Sequence, residues 1–361
     1  MRKKGFLIPC LFALAVLTGC SNGDTADKYV GEQITSMKEK GSDSFTTLLD
    51  EGIAKSNEAF TLQCPEELKE PYQEFLKDSF NAVTFEVSSA KKKSDDTFSV
   101  LVTYTPINIQ RTTDASNSEF LSTLETTDLT AAVTSILEND AGLLTDTPVH
   151  DNEIISTLDV AKKGDKYSIT EDSLKKFVEQ AIVNYMEPYN QVCDIIDTYD
   201  FINAYLNASF KGDVAQFALH TDRTEEEAYA WYEEDVFDPP ADLSEAYVDR
   251  YKAALKSIMS QCQYTVGIPV KEAGGFSYTV DVTTTPNNSF ADAYHEFENG
   301  TYYSLDEASA GLVQAMEKYA AAPTFGEETT QNVTINSSSL LSANQENSEL
   351  YTLATTILMM P

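Results

Sequence analysis

Basic residues are scarce in this 361-residue sequence. Lysine and arginine number 25 against 58 aspartates and glutamates, a formal net charge of −33. Nucleic-acid binding rests on Lys and Arg displacing counterions from phosphate, so this balance argues against a nucleic-acid partner and against docking by charge on anionic lipid. Its bland meaning is a solvated acidic surface; its sharper meaning is a surface that meets cationic partners. There is one tryptophan, Trp231, and there are three histidines and five cysteines. No apolar run approaches the ~20 residues that cross a bilayer as a helix. Gly-x-Ser-x-Gly, a phosphate loop, Cys-x-x-Cys and calcium-loop spacing are all missing. His295-Glu296 begins like a zinc-protease helix, but Asn299 stands where the second histidine is required. Neither a cofactor nor a metal is therefore expected.

What is present begins at the N-terminus. Arg2, Lys3 and Lys4 precede an apolar run over residues 6–17, which ends in Leu17-Thr18-Gly19-Cys20. A basic start, a short apolar core and small residues before a cut make a secretion signal. The closing tetrapeptide resembles the bacterial lipobox. That resemblance implies a diacylglyceryl group on the Cys20 sulfur and cleavage between Gly19 and Cys20. It also implies residence on the outer, extracytoplasmic face of the cell membrane, with membrane lipid as the first partner. Two acyl chains hold where one binds only marginally. Residues 1–19 are then the signal peptide and 20–25 a short tether. Losing three basic residues and no acid leaves the mature chain at −36.

The remainder, 42% hydrophobic and 11% aromatic, has the composition of a globular protein and repeats itself. Val100, Val102, Thr103, Thr105 and Pro106 recur as Val280, Val282, Thr283, Thr285 and Pro286. Leu68, Glu70 and Tyr72 recur as Leu243, Glu245 and Tyr247, and Lys40-Gly41 as Lys211-Gly212. Two tandem units are expected, 26–190 and 197–361. In the first, periodicity predicts helices over 27–40, 45–60 (interrupted at Gly52), 66–82, 127–141 and 171–186, the last stopped by Pro188. Strands are predicted over 84–90 and 97–105, joined by a polar turn at 91–96, and over 153–162 and 166–170. In the second, helices are predicted over 199–211, 225–236, 242–260, 305–321 and 346–360, and strands over 263–271, 276–285 and 329–336. Helices followed by an antiparallel sheet define an α+β fold rather than alternating βαβ. This order resembles the nuclear-transport-factor-two-like or cystatin-like superfamily, units of which occur, sometimes in tandem, in Gram-positive lipoproteins of unknown function. The resemblance implies a curved antiparallel sheet around helices and, in its enzymes, an Asp–His or Asp–Asp pair in a conical pocket.

His150 beside Asp151, His220 near Asp222 and His295 before Glu296 all lie in polar surroundings, where a solvated histidine is the default; no catalytic residue is assigned. Ser173 and Lys176 fit Ser-x-x-Lys, but so do Ser88 with Lys91 and Ser89 with Lys92, which points to chance. Cys64, Cys193 and Cys262 remain after processing, an odd number that leaves one disulfide or three buried thiols open. Tyr229, Trp231 and Tyr232 stand among Glu225, Glu226, Glu227, Glu233, Glu234 and Asp235. They could contact a sugar or a cationic peptide, or Tyr229 and Tyr232 could pack inward under an acidic face. The function expected is a non-catalytic envelope module that binds a protein, peptide or glycan. The alternatives are a pocket enzyme and the solute-binding component of a transporter.

Overall fold

The computed structural model describes residues 25–235, 237, 239–336 and 349–361. The signal peptide, Gly19, Cys20 and the tether up to Asp24 lie outside the described residues, as do Val236 and residues 346–348 of two expected helices. No helix among the described residues is long and apolar enough to cross a membrane.

The fold is α+β. Helices α1 (Ala26–Lys40), α2 (Asp43–Ala59) and α3 (Lys69–Asn81) come first. They are followed by β1 (Thr84–Val87), β2 (Lys91–Ser94), β3 (Thr97–Thr105) and β4 (Ile107–Asn108). Then come α4 (Ile109–Ser122), α5 (Leu129–Asp146), β5 (Ile154–Lys163), β6 (Lys166–Ile169), α6 (Glu171–Ala181) and β7 (Ile182–Val183). Strands β1, β3, β5 and β6 lie side by side in that order, all antiparallel, with β2 folded back on β3. Along β3, Val100, Val102 and Tyr104 are buried while Ser99, Leu101 and Thr103 face outward, the period-2 alternation of a sheet with one packed face.

A 25-residue helix, α7 (Glu187–Lys211), leads into α8 (Ala215–His220), α9 (Glu225–Asp235) and α10 (Val248–Met259). These are followed by β8 (Gln263–Val266), β9 (Val270–Lys271), β10 (Ser277–Thr285), α11 (Ser289–Glu298), α12 (Leu305–Ala321), β11 (Thr329–Asn336) and α13 (Glu349–Ile357). The second sheet runs β8–β10–β11, with β9 folded back on β10.

The recurring sequence positions carry the same backbone bonds. Pro106 O accepts from Asp151 N and Asn108 N donates to Val149 O; likewise Pro286 O accepts from Gly326 N and Asn288 N donates to Thr324 O. Gly41 and Gly212 both end a helix, at φ +80° and +69°, a backbone region that glycine enters without Cβ strain.

Two hydrophobic cores result, one drawing on Ala26 to Ile196 and the other on Phe201 to Leu358. Helix α7 enters both. It gives Tyr189, Val192, Cys193 and Ile196 to the first and Phe201, Ile202, Tyr205 and Phe210 to the second.

Several local expectations change. Pro188 does not stop a helix; it lies in the first turn of α7, where its missing N–H costs nothing because those amides have no intrahelical partner. The stretch 191–196 is therefore continuous helix, and the preceding helix stops at Ala181, before Asn184 at φ +59°. The polar run from Lys91 is strand β2, paired with Thr97–Ser99 of β3 on the same side as β1, with the turn confined to Asp95-Asp96. Helix α2 passes through Gly52 without a break. Helices α4, α8 and α11 were not foreseen.

Candidate functional site

The acidic aromatic segment forms α9. Its start is a capping box: Glu227 N donates to Thr224 Oγ1 (3.2 Å) and Thr224 N to Glu227 Oε2 (2.9 Å). The same backbone bond holds the Glu227 carboxyl below its usual range. Beyond the cap the helix turns Ala228 and Tyr232 into the core. Trp231 is half-buried, its ring 4.7 Å from Phe217 and 6.3 Å from Tyr205. Of the three predicted contact residues only Tyr229 stays exposed. The patch also holds a cation of its own. Lys256 Nζ lies 5.0 Å from the Phe237 ring, 5.5 Å from Tyr232 and 6.0 Å from Tyr229, and pairs with Glu233, whose carboxyl it depresses. The attraction of a cation to ring faces is used here to dock α10 on α9.

His220 departs furthest from expectation. It ends α8, and its side chain is 4% exposed, whereas a solvated ring beside Asp222 was expected. Its Nε2 lies 2.9 Å from Asp200 Oδ2 and its Nδ1 3.0 Å from Thr61 Oγ1. The Phe201 ring packs edge-on at 5.1 Å. Because the carboxylate can only accept, Nε2 carries the proton; in the neutral ring Nδ1 then accepts from the Thr61 hydroxyl. Asp197 completes the cluster. Its Oδ1 accepts from Thr61 N and Leu62 N, both at 3.1 Å, and its Oδ2 lies 3.9 Å from Nδ1. Burial raises the Asp197 carboxyl above its usual range, against the pull of His220 and the two amides.

Thr61, His220 and Asp200 follow the order of a nucleophile, a base and an orienting acid. The amides of Thr61 and Leu62 are already spent on Asp197. The cluster clasps the loop after α2 to α7 and α8, joining the two cores. No sequence signal paired His220 with residues 20 and 159 positions away, and the helix expected from residue 199 did not include Asp197.

The other candidates are dispersed. His150 bridges Ile107, and its neighbour Asp151 is taken by Arg111 (2.9 Å) and Asn108. His295 is in α11, where Asn299 caps its carbonyl at 2.7 Å. Ser173 Oγ accepts from Asp159 N (3.0 Å), fastening α6 to β5, so no Ser–Lys pair arises. Cys64, Cys193 and Cys262 are free thiols; burial pushes Cys193 and Cys262 each up to about 12.

A buried polar group sits in the first core, where no function had been expected. Asp140 on α5 and Thr113 and Asn117 on α4 are fully buried. Burial pushes the Asp140 carboxyl up to about 7, with the Asn117 and Asn139 side-chain amides pulling it partway back. The surface near α2 and α3 has a shallow depression of about 700 Å³, lined in part by Ser42, Thr46, Glu70, Gln73 and Lys77. Among the described residues, no group of three or more His, Cys, Asp or Glu side chains is placed to hold a metal. No protein-family model, curated protein or solved structure matches the chain.

Proposed function

We propose that this chain is an extracytoplasmic lipoprotein, held on the outer face of a membrane by a diacylated Cys20, and that it works there by binding a protein, peptide or glycan rather than by catalysis. The single observation that carries the reading is the order of a basic start, a short apolar run and Leu17-Thr18-Gly19-Cys20. Helix α1 begins at Ala26. At ~3.5 Å per extended residue, the tether lets the first helix stand no further than about 20 Å from the anchoring sulfur. A body of charge −36 is repelled by anionic headgroups, so the acyl chains supply the attraction and the acidic surface faces cationic or neutral partners.

The binding reading is supported by how the reactive side chains are used: both His220 ring nitrogens have partners inside the molecule. Tyr229 and the exposed acids Glu225, Glu226 and Glu234 are the part of the α9 patch that a partner reaches. We read the two halves as copies of one unit, of the nuclear-transport-factor-two-like or cystatin-like kind. That reading is supported by the shared order of elements and by the matched bonds of Pro106 and Pro286.

The test replaces Cys20 with serine in the full precursor and follows the protein by membrane fractionation and labelled-palmitate incorporation. The expected result is loss of label and movement of the chain out of the membrane fraction. Unchanged label or unchanged retention refutes the anchor.

A further inference from the structure

The net charge speaks against docking on anionic lipid, but the charge is unevenly placed. Residues 91–96 and 159–166 hold six lysines (Lys91, Lys92, Lys93, Lys162, Lys163 and Lys166) against four aspartates, in a chain where acids outnumber bases by more than two to one. The fold gathers both segments at one end of the first sheet. Strands β2 and β5 flank the start of β3: Lys91 and Asp159 both lie opposite Ser99, and Ala161 lies opposite Thr97. Lys162 N donates to Asp96 O at 2.8 Å and so fastens the β2–β3 turn to β5. Residues opposite one another across antiparallel strands share a face. Lys91 therefore stands with Ser99 on the outward face, and Lys93 reaches that face through its 2.5 Å bond to Asp159.

This end of the sheet leaves positive charge unspent. Lys163 lies directly opposite Lys166 across the β5–β6 hairpin, and like charges so placed destabilise a sheet. Lys92 pairs with Asp95 (2.8 Å) and Lys93 with Asp159, both at exposed positions where an ion pair holds weakly. Among the described residues no ion pair joins Lys91, Lys163 or Lys166, and all three are exposed. The other sheet differs. Strand β9, folded back on β10 as β2 is on β3, carries one lysine, Lys271, which turns back to Asp194 on α7 (2.5 Å).

The start of α1 lies at the same end. Lys28 and Tyr29, in its first turn, share a shallow depression with Asp165, Lys166 and Tyr167, and the Tyr29 and Tyr167 rings are 6.0 Å apart. The chain thus enters α1 beside the β5–β6 hairpin. We propose that this lysine-bearing end of the first sheet rests on anionic phospholipid headgroups and orients the anchored molecule. The inference rests on the diacylated Cys20 of the proposed function: the acyl chains hold the molecule, and the lysines decide which side faces the bilayer. At physiological ionic strength charges are screened over about 8 Å, so headgroups respond to the nearest surface and not to the net charge of the whole chain. Each lysine brought to an anionic surface favours that contact by about fivefold. The remaining acidic surface, α9 included, is left for other partners.

The experiment places the full acylated chain in phosphatidylcholine vesicles with and without phosphatidylglycerol, floats the vesicles, and measures by mass spectrometry how fast a water-soluble amine reagent labels each lysine. Lys91, Lys93, Lys163 and Lys166 are expected to be labelled several-fold more slowly on the anionic vesicles. High salt should erase the difference, and exposed Lys318 of the second unit should be labelled equally on both. Replacing the hairpin pair together, Lys163→Gln with Lys166→Gln, is expected to reduce the protection of Lys91 and Lys93. A chain that fails to float refutes the anchor and this proposal with it. A chain that floats but is labelled alike on both vesicles overturns the docking alone. Protection of Lys318 equal to that of the sheet lysines, or protection unchanged in the double variant, overturns it as well.

Discussion

Replacing Gly52 with alanine sets two magnitudes against each other. Glycine within a helix is about 0.8–1 kcal/mol less favourable than alanine, so an exposed mid-helix glycine gains roughly that much on substitution. Gly142 in α5 is such a position, and at Gly31 in α1, though half-buried, there is equally room: an added Cβ meets nothing within 4 Å at either. Gly52 is different. A Cβ there falls 2.6 Å from Met186 Cγ, 2.8 Å from Met186 Sδ and 2.8 Å from Tyr185 Cε2. The tyrosine ring cannot swing away cheaply, because its hydroxyl donates to Leu48 O at 2.9 Å. Forcing a methyl into a packed core costs about 1–3 kcal/mol, which exceeds the helical gain. Gly52→Ala is therefore expected to lower stability by up to about 2 kcal/mol, and Gly31→Ala and Gly142→Ala to raise it by up to about 1 kcal/mol each. Urea unfolding followed by far-ultraviolet circular dichroism, with the three variants side by side, reads the signs directly. If Gly52→Ala is stabilised as much as the two controls, the close packing of α2 on the start of α7 is wrong.

Asp197→Ala is expected to cost about 1–3 kcal/mol by leaving the Thr61 and Leu62 amides unpaired and to open the 60–65 loop to proteases, whereas Asp197→Asn, which keeps an acceptor, should restore most of the protection. Trp231→Ala should lower the melting temperature, because the indole packs on Phe217 and Tyr205; unchanged melting with lost partner binding would instead mark it as a contact residue. The Cys193 and Cys262 thiols, raised to about 12 by burial, stay protonated through neutral pH and become thiolates only as the pH passes that value. A thiol reagent at pH 8 should leave both unmodified until the chain is unfolded; rapid reaction of either in the native protein contradicts the burial.

The apolar alternation of β3 and β10, the helical faces of α1, α3 and α12 and the helix ends at Lys40-Gly41 and Lys211-Gly212 were all legible, because each depends on neighbours within a few residues. Helix α4 was not, and its composition explains why. Its buried positions include Thr113 and Asn117, so the stripe that marks a core-facing helix was broken by the residues that form the buried polar group. Helix α8 is six residues long, too short for a periodic signal. Pro188 was misread because a proline ends one helix and begins another with the same missing N–H, and only the paths of α6 and α7 tell the two cases apart.

The candidate site was legible only in part. The acids and aromatics of residues 225–235 were evident, but burial depends on what arrives from elsewhere: Lys256 across the rings, and Phe217 and Tyr205 under the indole. His220 stood beside Asp222 in sequence and bonds Asp200 and Thr61 in space. Along the chain the carboxylate nearest that ring is Asp222, whereas in the fold Asp200 and Asp197 face it.

By itself, the sequence determined the α+β class and most of its elements, the acidic surface and the Leu17–Cys20 motif on which the anchoring proposal stands, since periodicity, charge and a contiguous tetrapeptide are properties of neighbouring residues. Only the tertiary structure decided that one helix runs through both cores, that His220 is a clasp, that Lys256 occupies the aromatic patch and that Asp140 is buried against Asn117. Each of those depends on residues brought together across tens of positions, and a hydrogen bond or an ion pair is set by separation in space, of which order along the chain is a poor measure.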